Sequence, residues 1–316
     1  MVAKVTFKKG KREMNVVGKG MMQRRLQTMA LGVVVTAMAC TGLACPADAK
    51  YKEIEVKNGG TIKGVATWKG EIPKLPPLTV FKHMDKCGQT SFNPALIVNP
   101  ASKGVKFVAI YLDGKIEEGK PLTAGKLDRD SSKTLHAGKD ENQRPESMLC
   151  NFEEHVFSFV RTQKMGLYNM EDLLHNPHGF SAKGATIFNI ALPDRNRLIK
   201  KKFKRVQGMT RFQCDTHVHM NAWMFGFAHP YFAVTDAQGK FEITEIPPGK
   251  YTVVGWHEGY NIKEFALDNR PVYDEPHIIK KEIEVKAGET VDLNLEYPVR
   301  DVKVEWKVAE RKVEGH

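Results

Sequence analysis

The sequence predicts an all-β protein. Short runs in which apolar and polar residues alternate recur along the chain from residue 51 onward, and this period of two is typical of strands with one buried face. Pairs of Gly, Asn, Asp and Pro separate the runs and predict tight turns. Long stretches with the 3.6-residue period of an amphipathic helix are missing from the sequence, which favours β-sandwiches.

The predicted strands follow one another through the body of the chain. They cover residues 51–56, 61–68, 105–112, 156–161, 186–192, 206–213, 231–235, 241–246, 250–256, 281–285 and 291–297. Residues 119–147 are polar, with few large apolar side chains, so we expect an excursion loop there. Residues 301–316 are strongly charged, and we expect a loosely held tail.

The charge of the chain is concentrated at its start. The 316 residues include 48 Lys and Arg against 37 Asp and Glu, a formal charge of +11. The first 49 residues hold eight of the basic and two of the acidic residues, which leaves +5 for residues 50–316. This balance argues against a dedicated nucleic-acid-binding protein, which usually has a strongly basic face. No run of 18 apolar residues follows residue 49, so we expect no transmembrane helix in the mature chain.

Residues 1–49 have the layout of a secretory signal peptide. For the first twenty residues, an overextended gene start is the alternative. Arg24 and Arg25 precede an uncharged apolar stretch, and an Ala-Asp-Ala cleavage signal ends at Ala49. We therefore expect a periplasmic or extracellular protein that begins near Lys50. A lipoprotein attached through a leader cysteine is an alternative that the Gly-Leu-Ala sequence before the second such cysteine disfavours.

Three cysteines remain after the leader, namely Cys87, Cys150 and Cys214. In an oxidising compartment two of them can pair, and the third then needs another role. We expect a disulfide between Cys87 and Cys150, because neither has several neighbours at metal-ligand spacing. A second metal site that uses Cys150 and His155 is the alternative.

The sharpest motif is C-x2-H-x2-M, formed by Cys214, His217 and Met220, between two predicted strands. His175, in the sequence His-Asn-Pro-His, lies 39 positions before the cysteine. One thiolate, two imidazoles and a thioether form the ligand set of a blue-copper site. Zinc is the alternative metal, since Cys and His also bind it, but thioether ligands select copper.

Two families resemble parts of this sequence. The marks Thr-Asp-x-x-Gly-x-Phe at 235–241, Pro-Pro-Gly-x-Tyr at 247–251 and Gly-x-Thr-x-x-Leu-x-Leu at 288–295 resemble the carboxypeptidase regulatory-like, transthyretin-like β-sandwich. The first strand of such a sandwich, Gly-Thr-Ile-x-Gly, stands at 60–64, about 170 residues upstream. We therefore expect a second β unit to be inserted into this sandwich.

The His-Asn-x-His and C-x2-H-x2-M motifs resemble the cupredoxins, and the short ligand loop is most similar to that of amicyanin. The wider segment also resembles methylamine-utilisation-type, plastocyanin-like proteins that join a cupredoxin module to a regulatory-like sandwich. This resemblance implies four copper ligands and a hydrogen-bonding role for Asn176 that ties the two ligand loops together. The implied ligands are His175, Cys214, His217 and Met220.

The ligand loop departs from the amicyanin pattern. Amicyanin-like loops place proline on both sides of the loop histidine, whereas this chain has Thr216 and Val218 there. His219 stands where an aromatic residue is expected, and His178 is a second imidazole on the other loop. His178 and His219 are therefore alternate ligands.

A basic segment precedes the cysteine. It runs from Arg195 to Arg205 and holds seven basic residues in eleven positions. One interpretation is an edge strand whose lysines block aggregation. The other is a docking patch for an acidic redox protein such as a c-type cytochrome, because redox complexes are steered by charge.

Together these observations predict an exported type 1 copper protein that carries single electrons and is not an enzyme. The alternatives are a copper storage or delivery protein and a cell-surface structural sandwich without a redox role. The predicted domains are a signal peptide (1–49), the first sandwich strands (50–80), a Greek-key cupredoxin-like domain (81–227), the rest of the regulatory-like sandwich (228–300) and the tail (301–316).

Overall fold

The computed structural model describes residues 50–122, 127–138, 150–181 and 183–300. They form an all-β structure with one short helix, α1 (Met84–Cys87). The predicted fold class is therefore confirmed. The predicted signal peptide and charged tail lie outside the described residues. Within the described part, no helix is long and apolar enough to cross a membrane.

The strands lie in chain order between residues 52 and 298. They are β1 (Lys52–Glu53), β2 (Gly60–Lys69), β3 (Leu78–Thr79), β4 (Thr90–Ser91), β5 (Ala109–Asp113), β6 (Glu118–Gly119), β7 (Thr134–Ala137), β8 (Val156–Val160), β9 (Lys164–Asn169), β10 (Pro177–Phe180), β11 (Thr186–Asn189), β12 (Leu198–Lys202), β13 (Gly208–Cys214), β14 (Asn221–Phe227), β15 (Phe232–Val234), β16 (Lys240–Ile246), β17 (Gly249–His257), β18 (Ile262–Phe265), β19 (Pro271–Tyr273), β20 (His277–Val285), β21 (Thr290–Asp292) and β22 (Leu295–Pro298).

One pair of sheets carries the predicted ligand residues. A five-stranded sheet has the order β11-β10-β13-β14-β8, and a three-stranded sheet has the order β12-β9-β7. Inward-facing side chains from both sheets pack into one core, for example Leu167 of β9 and Phe212 of β13. Cys214 and Met220 belong to this core, so the ligand loop is anchored in packed apolar side chains.

A second pair of sheets contains the strands that resemble the regulatory-like sandwich. One sheet has the order β15-β5-β17-β20, and the other joins β2 to β16, β21 and β22. Their shared core includes Ile62, Val253 and Tyr297. The early strand β2 thus pairs with strands some 180 to 230 residues later, because its buried alternate residues need the partners that the late strands supply.

One strand was not predicted, and another pairs with strands outside its predicted domain. Strand β7 lies inside the predicted excursion loop, where Thr134, Leu135 and Ala137 are buried and β7 pairs in parallel with β9. This pairing overrides the polar composition of its surroundings. Strand β5, inside the predicted range 81–227, pairs with β15 and β17. The domain boundaries stay a prediction.

A third group of buried side chains joins the two cores. It includes Val156, Phe225 and Phe227 from the ligand-bearing sheet and Ala109 and Trp256 from the other pair of sheets. The described residues belong to one compact unit. The loops near the ligand residues can therefore receive side chains from both pairs of sheets.

Candidate metal centre

Strand pairing brings the two ligand segments together. Strands β13 and β14 are antiparallel up to the pair Gln213–Asn221, and the loop between them carries Cys214, His217 and Met220. Strand β10 lies on the other side of β13, with Pro177 opposite Cys214. This register places the residues just before β10, including His175, beside the cysteine.

Backbone hydrogen bonds close the ligand loop on itself. The N–H of Cys214 donates to the carbonyl oxygen of Met220 over 3.0 Å, and the N–H of Met220 donates to the carbonyl oxygen of His217 over 3.0 Å. Both bonds lie within the hydrogen-bond range. The loop therefore presents a thiol, an imidazole and a thioether from seven consecutive residues.

The donor atoms of His175, Cys214 and His217 converge. One donor atom from each lies within 4.8 Å of the others, and the Cys214 Sγ is 3.7 Å from the His217 Nδ1. All three side chains are buried. Met220 is fully buried in the same core as the cysteine. This is a set of soft and borderline ligands shielded from water.

The ring of His175 is oriented by a carboxylate. Its Nε2 lies 3.0 Å from Oε2 of buried Glu171, four residues earlier. Its Nδ1 is buried without a hydrogen-bond partner. Burial lowers the pKa of His175, but the Cys214 sulfur and the Glu171 carboxylate outweigh it and raise the pKa to about 9. A histidine held in this way by a carboxylate offers its other nitrogen to a metal.

The surroundings of Cys214 favour its thiolate form. Burial alone raises its pKa, but His175 opposes burial most strongly, and the backbone N–H groups of Asn176 and His217 add to this, so the pKa lies below its ordinary value. The Asn176 N–H lies 3.3 Å from the sulfur. Because thiolate is the metal-binding form of cysteine, the site favours the species that a metal needs.

The second imidazole is held neutral. Burial and the charge of His175 lower the pKa of His217 to about 3. Its Nε2 lies 3.0 Å from Nδ1 of His83, which immediately precedes α1. If Nδ1 of His217 faces a metal, its Nε2–H donates to His83, so His83 fixes both the tautomer and the ring orientation.

The backbone of Asn176 provides its link between the two ligand segments. Its N–H reaches the Cys214 sulfur, and its carbonyl oxygen accepts the N–H of Asp215 over 3.0 Å. Its side-chain Oδ1 is buried without a partner. Main-chain atoms of Asn176 therefore join the two segments, and its role beside a metal stays a prediction.

The two alternate histidines have other partners. His178 lies 2.8 Å from Asp215 through Nδ1 and 2.8 Å from Thr186 through Nε2, so both its nitrogens are engaged. His219 is buried, and its Nε2 lies 2.9 Å from the carbonyl oxygen of Cys150. Neither joins the three-residue group of donor atoms formed by the predicted ligands.

The disulfide between Cys87 and Cys150 is present, and Cys214 is free. Both disulfide sulfurs lie within 4.8 Å of a His217 ring nitrogen. The N–H of Cys150 donates to Oε1 of Glu171 over 2.9 Å. The bridge therefore fixes α1 over one predicted ligand and supports the carboxylate that orients another. The alternative site at His155 does not form, because that histidine pairs with Glu258.

Three residues that contact the site were not predicted from the sequence. Glu171 could have been identified from its position four residues before His175. His83 and Arg270 come from distant segments, and no local pattern connects them with the ligands. Arg270 donates to the carbonyl oxygen of Cys214 over 2.8 Å.

The basic segment forms an edge. Strand β12 pairs with β9 at the end of its three-stranded sheet, and its three lysines are exposed. The segment begins beside the loop that carries Glu171, because the N–H of Asn196 donates to the carbonyl oxygen of Asn169. This placement agrees with an edge strand protected by lysines, and the docking role stays a prediction.

The residues present fit a copper ion. The Nδ1 of His175 is buried without a hydrogen-bond partner, and a ring nitrogen of this histidine lies within 4.8 Å of the Cys214 sulfur and of a His217 ring nitrogen. An orphaned buried nitrogen of this kind calls for a partner. Thiolate, two imidazoles and a nearby thioether are the donor types that copper takes in electron-transfer sites.

Comparisons with known proteins give little beyond this geometry. No family model and no curated protein matches the sequence. A purple cupredoxin from Nitrosopumilus maritimus is similar at 13% identity and a TM-score of 0.24, over 30% of this chain and 98% of that one. BcpA, the major pilin subunit of Bacillus cereus, is similar at 10% identity and a TM-score of 0.16, over 75% and 98%. The fold and the site rest on this chain's own residues.

Proposed function

We propose that this chain is an exported type 1 copper protein that carries one electron at a time and turns over no substrate. The observation that carries the proposal is the buried convergence of His175, Cys214 and His217 within 4.8 Å. Met220, which ends the same loop, supplies the weak fourth ligand. A bound copper ion supplies a centre that accepts and returns a single electron.

The surrounding residues hold the ligands still. Glu171 fixes the ring of His175 and His83 fixes the ring of His217, each across 3.0 Å. The Asn176 N–H stabilises the charge on the Cys214 sulfur. Since the ligand rings and the sulfur are packed and hydrogen-bonded, they need to move little when the charge of the centre changes.

The burial of the predicted ligands distinguishes an electron carrier from a copper storage or delivery protein. A protein that hands copper to another needs ligands that the acceptor can reach. Here His175 and Cys214 are fully buried and His217 is 1% exposed, beneath a helix fixed by a disulfide. This favours a copper ion that stays in place while electrons pass.

The disulfide also supports export. Structural disulfides persist in oxidising compartments and are rare in the cytosol of most organisms. Mass analysis of the mature chain should give an N-terminus near Lys50 and one intact bridge. A chain that retains the predicted leader in the cytosol would contradict the exported location.

Electrochemistry tests the function. We expect the wild-type protein with one bound copper to give a single reversible one-electron wave. Cys214→Ser should abolish this wave, and His178→Ala, the matched control for a neighbouring histidine, should retain it. A storage or delivery protein would instead release copper rapidly to a chelator and give no reversible wave. Tighter binding of zinc with no copper wave would refute the proposal.

A further inference from the structure

The ligand loop is held from outside by an arginine from the hairpin of β18 and β19, which forms a separate two-stranded sheet. We propose that Arg270 is a positioning residue of the metal centre, which clamps the backbone of the loop and places a fixed positive charge beside it. The effect of Arg270 on a bound metal rests on the proposed function. Its restraint of the loop backbone does not, because it is present without a metal.

The guanidinium spans the loop. Its Nη2 donates to the carbonyl oxygen of Cys214 over 2.8 Å, and its Nη1 lies 3.4 Å from the carbonyl oxygen of Val218. These oxygens belong to the first and fifth residues of the loop from Cys214 to Met220. That loop contains no proline, so its backbone is restrained by hydrogen bonds and packing.

Arg270 is itself held in position. Its Nε donates to Oδ2 of Asp268 over 2.7 Å, and the arginine side chain is only 8% exposed. It follows a turn between β18 and β19, where the N–H of Ala266 donates to the carbonyl oxygen of Arg270. The forked guanidinium is therefore in place before a metal binds, and the Arg270 side chain loses little conformational freedom on metal binding.

The chemistry of the contact requires an arginine. A guanidinium presents several N–H donors in a rigid plane, so one side chain can serve two carbonyl oxygens and a carboxylate. A lysine is a point charge and cannot keep this geometry. Loss of the fork would leave the buried Cys214 carbonyl oxygen without this donor, at a free-energy cost that loosens the loop.

The charge has a separate effect from the clamp. Asp268 is about half exposed, so water screens its charge more than that of buried Arg270. A buried positive charge near a copper centre disfavours Cu(II) relative to Cu(I). Arg270 should therefore raise the reduction potential, an effect that simple docking of the hairpin to the loop would not require.

Hydrogen exchange on the metal-free protein tests the clamp. The amides of Cys214 and Met220 are hydrogen-bonded within the loop, and that of Asp215 is bonded to the carbonyl oxygen of Asn176. Exchange at these three amides reports opening of the loop. In Arg270→Gln we expect their exchange to be roughly tenfold faster or more, because a hydrogen bond from a charged group is lost. Exchange at the wild-type rate would overturn the proposal.

Arg300→Gln is the matched control. Arg300 also donates to two carbonyl oxygens, those of Glu275 and Pro276, but outside the ligand loop. This variant should leave exchange at the loop amides unchanged. If Arg270→Gln does not fold, Arg270→Lys, which keeps the charge but not the fork, is measured in the same way and its loop exchange decides.

The reduction potential of the copper-loaded protein tests the charge. Arg270→Gln should lower the potential and Arg300→Gln should leave it unchanged. An unchanged potential in Arg270→Gln would overturn the proposed electrostatic role. Failure of the wild type to form a redox-active copper centre would overturn the proposed function instead, and the metal-free exchange experiment would still decide the clamp.

Discussion

Glu171→Gln should weaken copper binding while the fold is kept. The carboxylate accepts the N–H of Cys150 through Oε1 and holds Nε2 of His175 through Oε2. Glutamine has the same shape, but only one of its two ends is an acceptor. It must therefore oppose either the Cys150 N–H or the His175 Nε2–H with its own NH2 group.

The size of the effect follows from these two contacts. If the NH2 group faces the imidazole, Nε2 of His175 becomes the acceptor and the ring proton moves to Nδ1, the atom that the metal needs. If the side chain is flipped, a buried backbone N–H loses its acceptor, at a cost of about 1–3 kcal/mol. Residues that support a metal ligand typically contribute roughly 10–100-fold to metal affinity, and we expect a loss of that order.

Competition with a chromophoric copper chelator measures this affinity. Glu154→Gln is the matched control, since Glu154 likewise holds a histidine ring and a backbone N–H, both belonging to His136. We expect that control to change stability without changing copper affinity. Copper affinity of Glu171→Gln within a factor of about two of the wild type, well below the usual effect, would refute the reasoning.

Three further predictions concern stability and docking. Replacement of Cys87 and Cys150 by alanine removes a bridge across 63 positions, which should lower the free energy of unfolding by about 4 kcal/mol. It should also speed copper loss, because α1 is released. Unchanged unfolding in denaturant would contradict this. Burial lowers the pKa of His229 to about 4, below its unfolded value of about 6.5. Its stabilising contribution is therefore complete above pH 6.5 and is lost as the pH falls towards 4, by at most about 3 kcal/mol. Acid unfolding of His229→Gln should be less steep than that of the wild type, and an identical pH profile would exclude this source. Reversing the three lysines of β12 to glutamate should slow association with an acidic redox protein and flatten its salt dependence, without changing the copper spectrum; stopped-flow rates equal to the wild type would leave only the edge-protection role.

The sequence predicted the all-β fold class and the convergence of His175, Cys214 and His217, because both depend on local patterns. Alternation with a period of two predicted about half of the described strands, and the C-x2-H-x2-M spacing indicated one loop with three donors. His175 was found through its motif, and the structure places it beside Cys214 through the register of β10 and β13. The odd number of body cysteines likewise indicated the bridge.

The remaining features depend on long-range packing that a single sequence does not reveal. His83 reaches His217 from 134 positions away, and Arg270 reaches Cys214 from 56 positions away. Neither stands in a motif. Strand β7 was missed because its burial comes from pairing with β9. The resemblance implied hydrogen bonds from Asn176 but not which atoms form them, and the backbone atoms that do so have partners that depend on strand register.

The visible absorption spectrum of the oxidised, copper-loaded protein tests the central claim most directly. If the thiolate of Cys214 binds Cu(II) together with His175 and His217, the protein should show an intense thiolate-to-copper charge-transfer band at one copper per chain. Cys214→Ser should lose this band. A colourless wild-type protein that holds one Cu(II) would contradict the account.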